Sequence, residues 1–238
     1  MPPNMSTHTK TLSLIFVLVA VGLLFGMRYI KKNETTAPAQ ITRPSTSIHT
    51  QLAEVATSTT ILVFGDSITA GYGISLPDAY PAQLERALLS RGYNVRVINA
   101  GVSGETTAGG LRRAEFASKQ KPDIVLIVLG GNDVLRGVAP ASTKENLELI
   151  IQTFQQAGSR VVLVGMYAPA NLGDIYVKEF SEIYTSLAVQ FDVPLVPFLL
   201  DGVALDKTLN QSDGIHPNQQ GAKIIAEQNI LPTLLRLL

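Results

Sequence analysis

Ser67 comes just after an apolar run, in Ile61-Leu62-Val63-Phe64-Gly65-Asp66-Ser67, and is a candidate nucleophile because one base stands out for it. The chain has three histidines. His8 and His49 lie in the N-terminal segment and the stretch behind it. That leaves His216, in Ser212-Asp213-Gly214-Ile215-His216-Pro217, for the globular part. A serine hydroxyl is a poor nucleophile until a positioned base takes its proton. Asp213, three residues before His216, is spaced to hold the imidazole by its other nitrogen. Together they point to a serine hydrolase.

Each residue also has a plainer reading. Ser67 could be a helix N-cap or turn residue, Asp66 could cap the turn, and Asp213 could be the N-cap of the last helix. His216 could be a surface histidine ahead of Pro217. Their joint occurrence favours catalysis, with Asp66 structural. Acyl transfer also requires donors aimed at the oxyanion that forms in the transition state. The candidates are the backbone N–H of Ser67, the N–H of Gly104, where no side chain blocks approach, and the side-chain amide of Asn132. Turn geometry is the alternative role for Gly104 and Gly130-Gly131, and a left-handed turn position that for Asn132.

Positioning these groups requires a sheet. Short apolar, β-branched runs at 61–65, 95–99, 124–129, 161–165 and 194–196 read as strands. They alternate with helical patterns at 77–91, 106–119, 143–157, 174–191 and 218–236. Continuous apolar strands between helices predict an α/β domain whose parallel sheet is covered on both faces. In such sheets, sites form beyond the carboxyl ends of the strands. Gly65-Asp66-Ser67, Asn99 to Gly104, and Gly130 to Asp133 end the first three strands, while Asp213 and His216 precede the closing helix. Four chain segments therefore converge on one edge.

The chain of 238 residues suits one such domain plus an appendage. Its 19 basic and 19 acidic residues give no electrostatic reason to expect nucleic-acid binding. The absence of cysteine excludes disulfides, thiolate metal sites and a cysteine nucleophile. Leu12 to Met27 carries no charge, and with Thr11 and Tyr29-Ile30 it approaches the ~20 helical residues that span a bilayer. A cleaved signal peptide is the rival, but Arg28, Lys31 and Lys32 follow the run. The first small-x-small site, Ala37-Pro38-Ala39, lies well downstream. Residues 1–32 are therefore expected to be a membrane anchor or signal segment, 33–58 a flexible polar linker, and 59–238 the folded domain. The basic residues behind the run would, by the positive-inside rule alone, keep the domain inside the cell.

Gly65-Asp66-Ser67-Ile68, Gly101-Val102-Ser103-Gly104, Gly131-Asn132-Asp133 and Asp213-Gly214-Ile215-His216-Pro217 resemble the four blocks of the SGNH (GDSL-type) hydrolases, in the family's order. The likeness covers nearly the whole chain from about residue 60, with Ile68 in place of the usual leucine. Leu129 to Gly137, Ala168 to Gly173 and Val193 to Phe198 extend it toward the arylesterase, acyl-CoA thioesterase I and lysophospholipase L1 group. The resemblance implies a flavodoxin-like three-layer α/β/α sandwich with about five parallel strands. It implies a Ser67–His216–Asp213 triad, an oxyanion hole of Ser67, Gly104 and Asn132, and neither cofactor nor metal. The implied activity is broad hydrolysis of acyl esters and thioesters, with lipid esters among the candidate substrates. An extracytoplasmic domain is also implied, against the charge count. The expected partners are thus a small acyl ester or thioester and, through the N-terminal helix, the membrane. No nucleic-acid partner is expected, and the chain is expected to be a monomer.

Three rival readings use the same residues. A carbohydrate O-acetylesterase would keep the triad and differ in its acyl pocket. A metal-dependent phosphoesterase could use Asp66, Asp133, Asp213 and His216, although two-metal sites usually draw on more imidazoles than this chain offers. A membrane-tethered binding module with a dead hydrolase fold would have to keep every chemical role filled by chance.

Overall fold

Apolar runs bounded by glycine and polar turns become, in the computed structural model, five parallel strands: β1 (Thr59–Gly65), β2 (Val95–Gly101), β3 (Ile124–Val128), β4 (Arg160–Val164) and β5 (Leu195–Val196). The structure describes residues 58–238. The expected membrane segment, and all but the last residue of the expected linker, lie outside the described residues. Among the described residues no helix is long and apolar enough to cross a membrane.

The strand order is β2-β1-β3-β4-β5. The register aligns the ends of the first three strands, pairing Gly65 with Gly101 on one side and Val128 on the other. Every side chain of β3 is buried, so helices cover both faces of the sheet, as a continuous apolar strand requires. The helices are α1 (Ser67–Ala70), α2 (Tyr80–Leu89), α3 (Thr107–Ser118), α4 (Gly131–Leu135), α5 (Pro140–Gln156) and α6 (Asp174–Phe191). A C-terminal helical stretch begins with α7 (Gln219–Ile224) and ends with α8 (Leu231–Leu234). In one group α2 packs on the C-terminal stretch; in the other, α5 packs between α3 and α6. Phe64 of β1 meets Phe154 of α5 edge to face, with centroids 5.2 Å apart. The result is the expected flavodoxin-like α/β/α arrangement.

Two local expectations needed correction. The pattern over 218–236 reads as one α-helix, but Ile225–Ile230 forms a π-helical stretch between α7 and α8. Pro232 has no N–H to donate back into the preceding turn, and a widened turn is one way to absorb that loss. The pattern over 77–91 likewise divides into a short 3₁₀ turn at Leu76–Asp78 and α2. Pro81 sits in the first turn of α2, where a missing N–H costs nothing.

In this strand order the chain leaves β1 toward β2 on one side and returns to β3 on the other. The crevice between the ends of β1 and β3 is thus the topological switch point, where open α/β sheets bind their ligands. Ser67 follows β1 and Asn132 follows β3.

Candidate active site

The turn that carries Ser67 is built by short-range bonds. Asp66 is the N-cap of α1, its Oδ1 accepting the Ile68 N–H at 3.0 Å. Ser67 is the first helical residue, not the cap. The turn of α1 lies so close to β2 that a Cβ on Gly101 would fall 2.2 Å from the Ala70 nitrogen, so only glycine fits there. Asn99 adds a side-chain bond to the Thr69 carbonyl at 2.8 Å.

His216 reaches Ser67 from the segment ahead of α7. Its Nε2 is 2.9 Å from Ser67 Oγ, and its Nδ1 is 2.6 Å from Asp213 Oδ2. A carboxylate only accepts, so Nδ1 carries the proton in this pair, and a neutral imidazole then presents Nε2 to the serine hydroxyl. Asp213 Oδ1 accepts the N–H groups of Ile215 and His216 at 2.9 and 3.0 Å. The His216 N–H, then its ring and the Ile215 N–H, hold the Asp213 carboxyl down at about 2. The N-cap of α7 is Asn218, which accepts from Gln220 and Gly221, so Asp213 is not spent on a helix end. The loop closes through Gln211, whose N–H donates to the His216 carbonyl at 2.8 Å and whose side chain donates to the Tyr72 carbonyl at 2.7 Å. The Tyr72 ring leans on the imidazole, centroids 4.6 Å apart. Sequence reasoning missed Tyr72; an aromatic between Gly71 and Gly73 was the available signal.

Asn132 occupies the first turn of α4. It is Gly130, at φ 118°, that takes the left-handed conformation considered for Asn132. The Asn132 amide donates to Asp66 Oδ2 at 3.3 Å, beside Ser67, and one of its two N–H bonds remains for another acceptor. Asp66 is 2 % exposed. Burial pushes its carboxyl up to about 6, against the opposing pull of the Ile68 N–H, the charge of His216 and the Asn132 amide. Gly104 has φ +76°, a backbone state that side chains disfavour, and its carbonyl accepts from Arg136 of the segment after α4 at 2.7 Å.

Asp133 is fully buried and points away from this cluster. Its carboxylate accepts the N–H and hydroxyl of Thr107 at 2.8 and 2.6 Å, and more weakly the Thr143 hydroxyl at 3.4 Å. It thereby pins the start of α3 to α4. Of the four residues considered for a metal site, Asp66 and Asp133 thus hold separate turns, while Asp213 and His216 pair with each other. Among the described residues no three His, Cys, Asp or Glu side chains come together in a group that could hold a metal ion.

Beside Gly131 lies the Cε of Met166, which also lines a groove of mixed character where Val177, Leu195 and Pro197 alternate with the hydroxyl residues Ser181, Tyr184 and Thr185. The arrangement can pass a proton from a hydroxyl to an imidazole next to a free amide donor, which is the chemistry of acyl transfer.

The GDSL-like lipase/acylhydrolase family model matches residues 63–224. Esterase TesA of Pseudomonas aeruginosa is 42 % identical over 188 residues, covering 79 % of this chain and 93 % of that protein. Thioesterase 1/protease 1/lysophospholipase L1 of Escherichia coli is 42 % identical over 173 residues, covering 72 % and 82 %. The crystal structure of TesA superposes with a TM-score of 0.72 at 43 % identity, over 75 % of this chain and 99 % of that one. The chain belongs to the GDSL-like lipase/acylhydrolase (SGNH) family and is a hydrolase acting on ester bonds.

Proposed function

We propose that the protein is a serine esterase and thioesterase that works through an acyl-enzyme on Ser67. The observation that carries this reading is the unbroken hydrogen-bond path from Asp213 through His216 to Ser67 Oγ. As Ser67 Oγ bonds to the substrate carbonyl carbon, the carbonyl π electrons move onto its oxygen, and His216 Nε2 takes the serine proton. Asp213 stays ionised and steadies the imidazolium; its low-lying carboxyl suits that task. The Ser67 and Gly104 N–H groups and the free N–H of Asn132 receive the oxyanion. Collapse expels the alcohol or thiol, which takes the proton from His216. Water then repeats the sequence on the acyl-enzyme and returns Ser67.

The aliphatic part of the groove at Met166, with Val177, Leu195 and Pro197, supports an acyl or aryl substrate, in line with the esterase and thioesterase names of the relatives. The apolar run from Leu12 to Met27 supports a membrane tether, and the family likeness, against the basic residues behind that run, favours a domain at the outer side, within reach of lipid esters. Fractionation of full-length protein, with protease treatment of intact cells, tests that placement.

The decisive experiment is fluorophosphonate labelling with mapping of the modified peptide. Ser67 should carry the label, and Ser67→Ala should lose both label and esterase activity while keeping its fold. Normal turnover by a folded Ser67→Ala protein would end the reading. Activity over nitrophenyl esters of increasing chain length separates it from an O-acetylesterase, which would accept acetate alone.

A further inference from the structure

Arg113 lies within α3, yet its guanidinium is not a surface charge. It is stacked over the ring of Phe64, its Cζ 3.8 Å from the ring centroid. Its Nη2 donates to the carbonyl of Gly65 at 3.1 Å, and its Nε donates to Glu105 Oε2 at 2.7 Å. Nη2 closes a second bond to the same Glu105 oxygen. The side chains of Glu105 and Arg113 are only 9 % and 23 % exposed. A long polar pair this far out of water, with both members spoken for, costs desolvation that a surface pair avoids.

What the pair joins is specific. The Gly65 carbonyl belongs to the peptide that leads into Asp66 and Ser67, and it also accepts the Val102 N–H at 3.0 Å. Glu105 directly follows Gly104, and its own N–H closes the turn onto the Val102 carbonyl at 3.1 Å. One guanidinium plane therefore ties the turn that carries the nucleophile to the turn that carries Gly104. The local sequence makes room for it: a Cβ on Gly109 would meet Glu105 Cγ at 2.8 Å. The stack on Phe64, itself wedged against Phe154, removes the freedom to swing that would loosen the tie.

We propose that Arg113 and Glu105 form a positioning clamp that sets the distance between the Ser67 turn and the Gly104 donor, and so acts on the transition state without touching the substrate. The inference rests on Ser67 and Gly104 having the roles proposed above. A tetrahedral oxyanion must meet donors fixed to within a fraction of an ångström, and a misplacement of about 1 Å can cost on the order of 10²-fold in rate.

The test is steady-state kinetics of full-length protein on a soluble nitrophenyl ester, well below each variant's Tm. Rates are expressed per active site titrated with the fluorophosphonate. Arg113→Met, which keeps the apolar stem over Phe64, should lower kcat per titrated site by about 10- to 100-fold and move KM by no more than about twofold. Arg113→Lys should fail to restore kcat, because one ammonium cannot serve Glu105 and Gly65 in a single plane. Glu105→Gln should lose about 3- to 10-fold, and the double variant Glu105→Gln/Arg113→Met should be no worse than Arg113→Met alone, as expected of one unit. A kcat per titrated site within about twofold of the parent in Arg113→Met and Glu105→Gln, whatever the fall in Tm, would make the pair a structural brace and overturn the clamp. If Arg113→Met does not fold, Arg113→Lys and Glu105→Gln decide by the same measure. Failure of the parent to label at Ser67 removes the esterase reading and the clamp together; a labelled parent with unchanged variants removes the clamp alone.

Discussion

Two carboxyl groups flank the same serine, and their surroundings drive them in opposite directions. Asp66 sits under the site, closed off from water, and burial pushes it up to about 6. Asp213 stands on an outer loop with its side chain 38 % exposed, and two backbone N–H groups with an imidazole draw it down to about 2. The buried region is a frame. Its polar groups are all matched within the protein, from Asp66 with Asn132 to Asp133 with Thr107. The outer loop is a presenting arm that keeps an ionised group ready beside a histidine. Pairs of titratable groups pushed apart in this way mark where a fold assigns different tasks to the same side chain.

Breaking the presenting arm should have the largest effect. On the triad reading, His216→Ala should lower kcat by about 10⁴-fold or more, close to the loss in Ser67→Ala, because the members act as one unit. Asp213→Ala should cost less, about 10³- to 10⁴-fold, since it orients the imidazole without taking the proton. Stopped or discontinuous assays on a nitrophenyl ester measure both; equal losses would mean that Asp213 does more than orient.

Next comes the boundary between frame and arm. On the proposed oxyanion role, Asn132→Ala should reduce kcat by about 10²- to 10³-fold with little change in KM, because the free amide N–H would then meet charge that exists only in the transition state. A raised KM with unchanged kcat would place Asn132 in ground-state binding.

The contrast sharpens further in stability against pH. The Asp66 carboxyl is raised from 3.8 to about 6, so the folded protein keeps its proton over a window where the unfolded chain releases it. Folding should therefore lose stability as pH climbs from about 4 to about 6, by ~3 kcal/mol for a shift of about two units. Asp213 works in the reverse sense and a lower window: its contribution is present above 3.8 and is lost as pH falls through about 2. Urea unfolding at a series of pH values should show that Asp66→Asn flattens the slope between pH 4 and pH 6, while Asp213→Asn leaves that slope intact. The reverse outcome would exchange the roles assigned to frame and arm.

The smallest effect is expected at Tyr72. Removing a ring that only leans on His216 should change kcat by about threefold to tenfold, in keeping with an aromatic contact of about 0.5–1.5 kcal/mol. A loss as large as that of Asp213→Ala would show that the ring helps to hold the imidazole.

Much of the fold was legible because the strands are buried on both faces and so read as unbroken apolar runs. Ile124 to Val128 is the clearest, with all five residues buried. The triad candidates were legible for a different reason: Ser67, Asp213 and His216 sit in short blocks whose local spacing already constrains them, and Asp213 bonds its own loop through Ile215 and His216. The C-terminal stretch was misread because helical periodicity is nearly the same in an α- and a π-turn, and the effect of Pro232 is felt in the turn before it. Asp133 was read as a possible metal ligand because a sequence shows a carboxylate but not the direction it faces.

By itself, then, the sequence determined the alternation of strands and helices, the arrival of four polar segments at one sheet edge, and the chemical types those segments carry. Hydrophobic period and local turn chemistry are short-range properties, written within a few residues of where they act. Only the tertiary structure decided that His216 closes on Ser67 across 149 positions, that Arg113 bridges Gly65 and Glu105, and that Asp66 and Asp213 part company in acidity. Those outcomes depend on which groups are removed from water together, and burial is a property of the packed molecule as a whole.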